Sequence, residues 1–211
     1  MESNLIFGME VLVAVVATVT YHKYRHNPLR YFLVYLWAVV ALEIGGMILP
    51  VFLKTPNLWL YNVFVILEFP LLIWWYRRFL SNHRSRRFLI WLVLIFLIFA
   101  VFNSLLFQSF TLAFQSYTFI FGAIGLIIAI FMHFNEVLHS DKILIIQRGL
   151  LFWVSVGFLF FFASVIPIMI MGNVLDHTGM IYNVFLLILN IILHCSFLIG
   201  LLWGQKKYNL L

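Results

Sequence analysis

Scored as hydrophobic or polar, the chain alternates long apolar runs with short polar breaks. A helix needs roughly 20 apolar residues to cross a hydrocarbon layer of about 30 Å. Runs of about that length fall at about 4–21, 31–53, 58–79, 88–107, 117–134, 150–172 and 181–203. The pattern predicts an all-α integral membrane protein in which residues 1–211 form a single seven-helix transmembrane domain. The fourth and fifth runs are separated only by the polar but uncharged "QSFTLAFQSYT".

Composition strengthens the class. The chain is 65% hydrophobic and 9% charged, whereas soluble domains carry charge on roughly a quarter of their residues. Such a chain is solvated by lipid, and the spans leave little for a domain outside the bilayer. Positive residues are retained on the cytoplasmic side, so the loops assign an orientation. Lys23, Arg25 and Arg30 lie in the first loop, Arg77, Arg78, Arg84, Arg86 and Arg87 in the third, Lys142 and Arg148 in the fifth, and Lys206 and Lys207 in the tail. In a seven-span chain all of these fall on one face, while the other face carries Lys54 beside Asp176. The expected arrangement is N-terminus outside and C-terminus in the cytoplasm. The same rule accounts for the net charge of +6, so no nucleic-acid partner is implied. Beyond it, Arg77, Arg78, Arg84, Arg86 and Arg87 suit docking of an anionic lipid or an acidic cytosolic partner.

Polar residues inside the runs carry the candidate chemistry. A carboxylate at mid-membrane costs about 2.5–3.5 kcal/mol on insertion scales, which favours an inward face and a partner. Glu43, Glu68 and Asn190 fall near one depth, with Glu10 further out and expected to be solvated. Asn183, Asn190 and His194 recur at spacings of seven and four, which puts them on one helix face, expected to look inward. Tyr61 and Glu68 share a face in the same way. The candidate ligand or proton site is therefore Glu43, Glu68, Tyr61, Asn190, His194 and Asn183. Glu43 and Glu68 suit a proton-responsive switch, a cation site or recognition of a polar ligand. The plainer alternative is a set of protonated acids that staple helices together. His133 shares a face with Gly122, Gly125 and Ala129, which predicts close helix packing beside it.

"YNVF" occurs at 61–64 and again at 182–185, and Pro50 and Pro167 lie near corresponding ends of the second and sixth runs. These features suggest a three-plus-one-plus-three plan of parallel triplets. The prolines fit hinges in a transport path, and equally fit ordinary packing. Trp74, Trp75 and Tyr76 precede Arg77 where an interfacial belt belongs.

The parts of several enzymes are missing. No GxSxG elbow, HExxH box or phosphate loop is present, so no catalytic residue, metal or cofactor is assigned and an enzyme is not expected. The single cysteine, Cys195, can build neither a disulfide framework nor a cysteine metal cluster. Only His133 and His194 could serve an intramembrane bis-histidine haem, and the last run lacks the lysine that a retinal Schiff base requires. The N-terminal run lacks a basic leader and reads as a retained helix.

With its short loops and the segments "YNVFVILEF", "IYNVFLLILN" and "LLFWVSVGFLFFF", the chain resembles the small seven-helix membrane modules that accompany sensory histidine kinases in bacteria. That resemblance implies a bundle that senses a cue and passes it to a cytoplasmic kinase. Here no output domain follows Trp203, so a signal would pass through a cytosolic or membrane partner. The leading expectation is a sensory or signalling, receptor-like subunit responding to a proton or small ligand. A small transporter whose plan resembles the SWEET-like carriers is the alternative. A homo-oligomeric accessory or effector protein is the third.

Overall fold

The computed structural model describes residues 2–54, 57–139, 146–171 and 180–209. All regular structure among them is helical: α1 (Glu2–Val19), a 3-10 turn (Tyr21–Lys23), α2 (Arg30–Leu53), α3 (Leu58–Arg77), α4 (His83–Leu106), α5 (Ser116–Leu138), α6 (Leu150–Ile170), α7 (Met180–Trp203) and the short α8 (Lys206–Asn209). Six helices, α2 to α7, are long and apolar enough to cross a membrane, and the apolar stretch of α1, Asn4–Val19, is shorter. The break between the fourth and fifth runs is real, with α4 ending at Leu106 and α5 starting at Ser116. Lys142 and Asp176, used above to assign orientation, lie outside the described residues.

The chain divides into two compact units, one of Met1–Val40 with Val137–Leu211 and one of Ala41–Glu136. The terminal unit holds α1, the start of α2, α6 and α7. The central unit holds the end of α2 with α3, α4 and most of α5. This division follows neither triplet of the suggested repeat.

In the terminal unit α6 and α7 pack closely because small residues let them approach. A Cβ on Gly157 would stand 3.1 Å from Ser196 Cβ and 3.2 Å from the Phe197 ring, and one on Gly200 would stand 2.8 Å from Trp153 Cβ. Small residues at a lipid-solvated interface allow this approach. Edge-to-face ring pairs complete the core, with Phe197 against Phe32 at 5.1 Å and against Phe158 at 5.3 Å. Val13, Ala14 and Ala17 of α1 are fully buried. Glu10, expected to be solvated, is also buried, at 8% exposure.

In the central unit the face of α5 marked by Gly122, Gly125, Ala129 and His133 is buried throughout. Gly122 receives the Phe69 ring of α3, and Gly125 faces Ile73 and Leu92. Phe69 packs edge-on against Phe96 and Phe119. His133 sits among Tyr76 and Phe79, each with its ring centroid 6.2 Å away. The close packing expected beside His133 is observed.

Candidate functional site

Pro50 determines the local chemistry of α2. Proline has no N–H, so the Gly46 carbonyl four residues earlier loses its helical donor. Asn57, just before α3, supplies the replacement: its Nδ2 donates to the Gly46 oxygen at 2.8 Å. The return is set by Lys54, which takes a left-handed conformation (φ 53°) and donates its N–H to the Pro50 carbonyl at 3.0 Å. Gly46 is buried, and a Cβ there would collide with the Tyr61 hydroxyl, so the ring of Tyr61 lies flush on this glycine. From that seat the Tyr61 hydroxyl donates to Glu43 Oε2 at 3.4 Å, a long bond. Glycine, proline, asparagine, tyrosine and glutamate thus make one polar junction between α2 and α3.

Of the residues expected at a site, the structure brings Glu43 and Tyr61 together. Glu68 is half-buried on α3, seven residues beyond Tyr61 and so about 10 Å along the helix axis. Asn190, His194 and Asn183 belong to the terminal unit. Asn190 is half-buried and its Nδ2 donates to its own helix at the Leu186 carbonyl, at 2.8 Å. His194 is 4% exposed, with Nδ1 2.7 Å from the Asn190 carbonyl, so that nitrogen carries the proton. Asn183 differs from expectation: it is exposed. It lies in the first turn of α7, on the same helical face as the buried His194 but about three turns nearer the helix end, where that face is exposed.

The largest polar network was not read from the sequence. Asn62 is fully buried, and its Nδ2 donates to Phe110 O and Ala113 O, both at 2.8 Å, while its Oδ1 accepts from Gln115 N at 3.0 Å. One amide thereby closes the loop between α4 and α5. Asn103 Nδ2 donates to Gln108 Oε1 and Thr118 Oγ1, and Gln115 Nε2 donates to Ser104 Oγ at 2.6 Å. "QSFTLAFQSYT" is thus a folded plug rather than a passive connector. The only signal for it was the polar content of that segment.

At the far end of α3, Arg77, Arg78, Arg84, Arg86 and Arg87 gather around the turn into α4. Asn82 caps α4, its side chain accepting from Arg84 N at 2.8 Å. Glu136 of α5 receives Ser81 N at 2.6 Å and Asn82 N at 3.2 Å. A carboxylate here also opposes the positive end of the α4 dipole. The Arg78 guanidinium lies over the Trp74 ring, 4.2 Å from its centroid.

Among the described residues no group of three or more His, Cys, Asp or Glu is placed to hold a metal ion. By their length and apolar composition, the six long helices are those of an integral membrane protein. Compared with protein-family models, curated proteins and solved structures, the chain matches none.

Proposed function

We propose that the protein is a sensory or signalling subunit of a bacterial inner membrane, acting through a partner protein, with the Glu43–Tyr61 junction as its responsive element. The observation that carries this reading is the Tyr61 hydroxyl resting on Glu43 beside a helix that Pro50 has already weakened. Protonation of Glu43, or a ligand that competes for its oxygens, changes the acceptor offered to Tyr61. The Asn57 bond to Gly46 remains as a polar contact beside it.

Continuity of α3 supplies a route for the response. Its 20 residues run about 30 Å from the Tyr61 end to Arg77, with Glu68 between them. A shift at the junction would therefore reach the basic turn without crossing a loop, and basic loops on that side would meet the partner. In this reading Asn190 and His194 are structural groups of α7, since each bonds to its own helix.

Thermal stability of purified wild type, Glu43→Gln and Tyr61→Phe, measured across pH and a panel of cations and metabolites, tests the reading. A ligand that binds only the folded state raises stability by mass action. A pH- or ligand-linked shift in the wild type, absent from both variants, is the expected result. No linked shift, together with no partner recovered by pull-down, would end the proposal. Solute uptake into liposomes that depends on Glu43 would replace it with the carrier of three-plus-one-plus-three plan.

A further inference from the structure

We infer that the turn between α3 and α4 is a binding site for the phosphate of an anionic phospholipid. Five arginines lie within residues 77–87. Glu136, the carboxylate that faces this turn, has both oxygens engaged by the backbone amides of Ser81 and Asn82. Among the described residues its hydrogen bonds go to these backbone amides and not to a guanidinium. The Nε atoms of Arg77 and Arg86 are buried and have no hydrogen-bond partner among the described residues, which leaves two donors unmet there. An unmade bond of this kind, on a charged group, is costly. Arg78, Arg84 and Arg87 remain exposed around them.

The chemistry asks for an anion with several oxygens, held at the depth of an interfacial tryptophan. Trp74, stacked under Arg78, marks that depth, because indole rings favour the headgroup level. A lipid phosphate already resides there at high local concentration. An acidic protein would have to push carboxylates into the bilayer surface to reach the same Nε atoms. The positive excess further favours a headgroup with net negative charge over a zwitterionic one. This inference stands whether or not Glu43 is a sensing group.

Delipidated wild-type protein would be titrated with phosphatidylglycerol or phosphatidylcholine and followed by thermal stability and by native mass spectrometry. Wild type should retain phosphatidylglycerol and gain stability from it, with little response to phosphatidylcholine. The Arg77→Gln/Arg86→Gln variant should lose affinity for phosphatidylglycerol about tenfold or more, and the Lys206→Gln/Lys207→Gln variant should keep it. Equal responses to the two lipids, or an equal loss in the lysine variant, would overturn the assignment. So would the same stabilisation by inorganic phosphate alone, which would make the ligand a free anion, and so would arginine-dependent capture of an acidic protein without lipid preference. Should the arginine variant fail to fold, the lipid comparison on wild type and on Arg84→Gln/Arg87→Gln decides the matter alone.

Discussion

Single side chains in this protein have value according to what they close. Asn62 and Asn183 occupy the same place in the two copies of "YNVF", yet one is fully buried with three hydrogen bonds and the other is exposed. Polar bonds between helices in lipid are worth about 0.6 kcal/mol on average, and an orphaned buried group costs about 1–3 kcal/mol. Asn62→Leu should therefore destabilise the protein by about 2–4 kcal/mol and loosen the α4–α5 loop, whereas Asn183→Leu should change stability by less than about 0.5 kcal/mol. Denaturation in detergent, with proteolysis across 107–115, would check both. Tyr24, in the loop before α2, is buried and donates its hydroxyl to the Ala17 carbonyl at 2.6 Å. Burial pushes its phenol well above the usual range, with the neighbouring Tyr21 adding to the effect. A raised folded-state pKa favours folding below the unfolded value of about 10, and that contribution is lost as pH rises beyond it. Wild type should lose stability more steeply than Tyr24→Phe above about pH 10 in a pH series of melting curves.

At the scale of the element, lipid makes each helix answer for its own polar groups. Thr18, Thr20, Ser104, Ser155 and Ser196 each donate a hydroxyl to the carbonyl four residues earlier. At Pro50 the freed carbonyl is served instead from outside its helix, by Asn57 just before α3. The two positions should consequently be coupled. Asn57→Ala alone should cost about 1 kcal/mol or more by orphaning the Gly46 oxygen. In a Pro50→Ala background the helix regains its own donor, and the same change should cost little. Equal effects in both backgrounds would refute this account. Between α6 and α7 the limit is space. Gly200→Val should destabilise the terminal unit by about 1–3 kcal/mol, because Trp153 Cβ and Leu150 leave no room for a side chain, and a melting curve in detergent would show it.

For the molecule as a whole, apolar length and the lie of charge govern how it sits in a membrane. Six helices meet the length needed to cross, and α1 offers the shorter stretch Asn4–Val19. If α1 also crosses, the termini lie on opposite faces. Reporters fused to each terminus should then show the C-terminus with the basic loops in the cytoplasm and the N-terminus outside; reporters on the same face would reduce the count to six.

Helix class and most helix boundaries were legible in the sequence because the apolar length of a run is a local property. The packed face of α5 was legible for a related reason, since small residues at helical spacing permit close approach wherever they occur. Partnership was not legible. Glu43 and Glu68 shared an expected depth, but which group reaches Glu43 depended on Gly46 leaving a seat for Tyr61. Glu10 and Asn183 exchanged their expected environments, because helix spacing defines a face without saying what lies against it. Asn62 stayed hidden because its three partners are backbone groups some fifty residues away, and backbone groups leave no mark in a sequence. The chain by itself determined that this is a protein of apolar helices solvated by lipid. Only the tertiary structure decided which polar side chains meet, because that depends on how neighbouring helices rotate and how closely they approach.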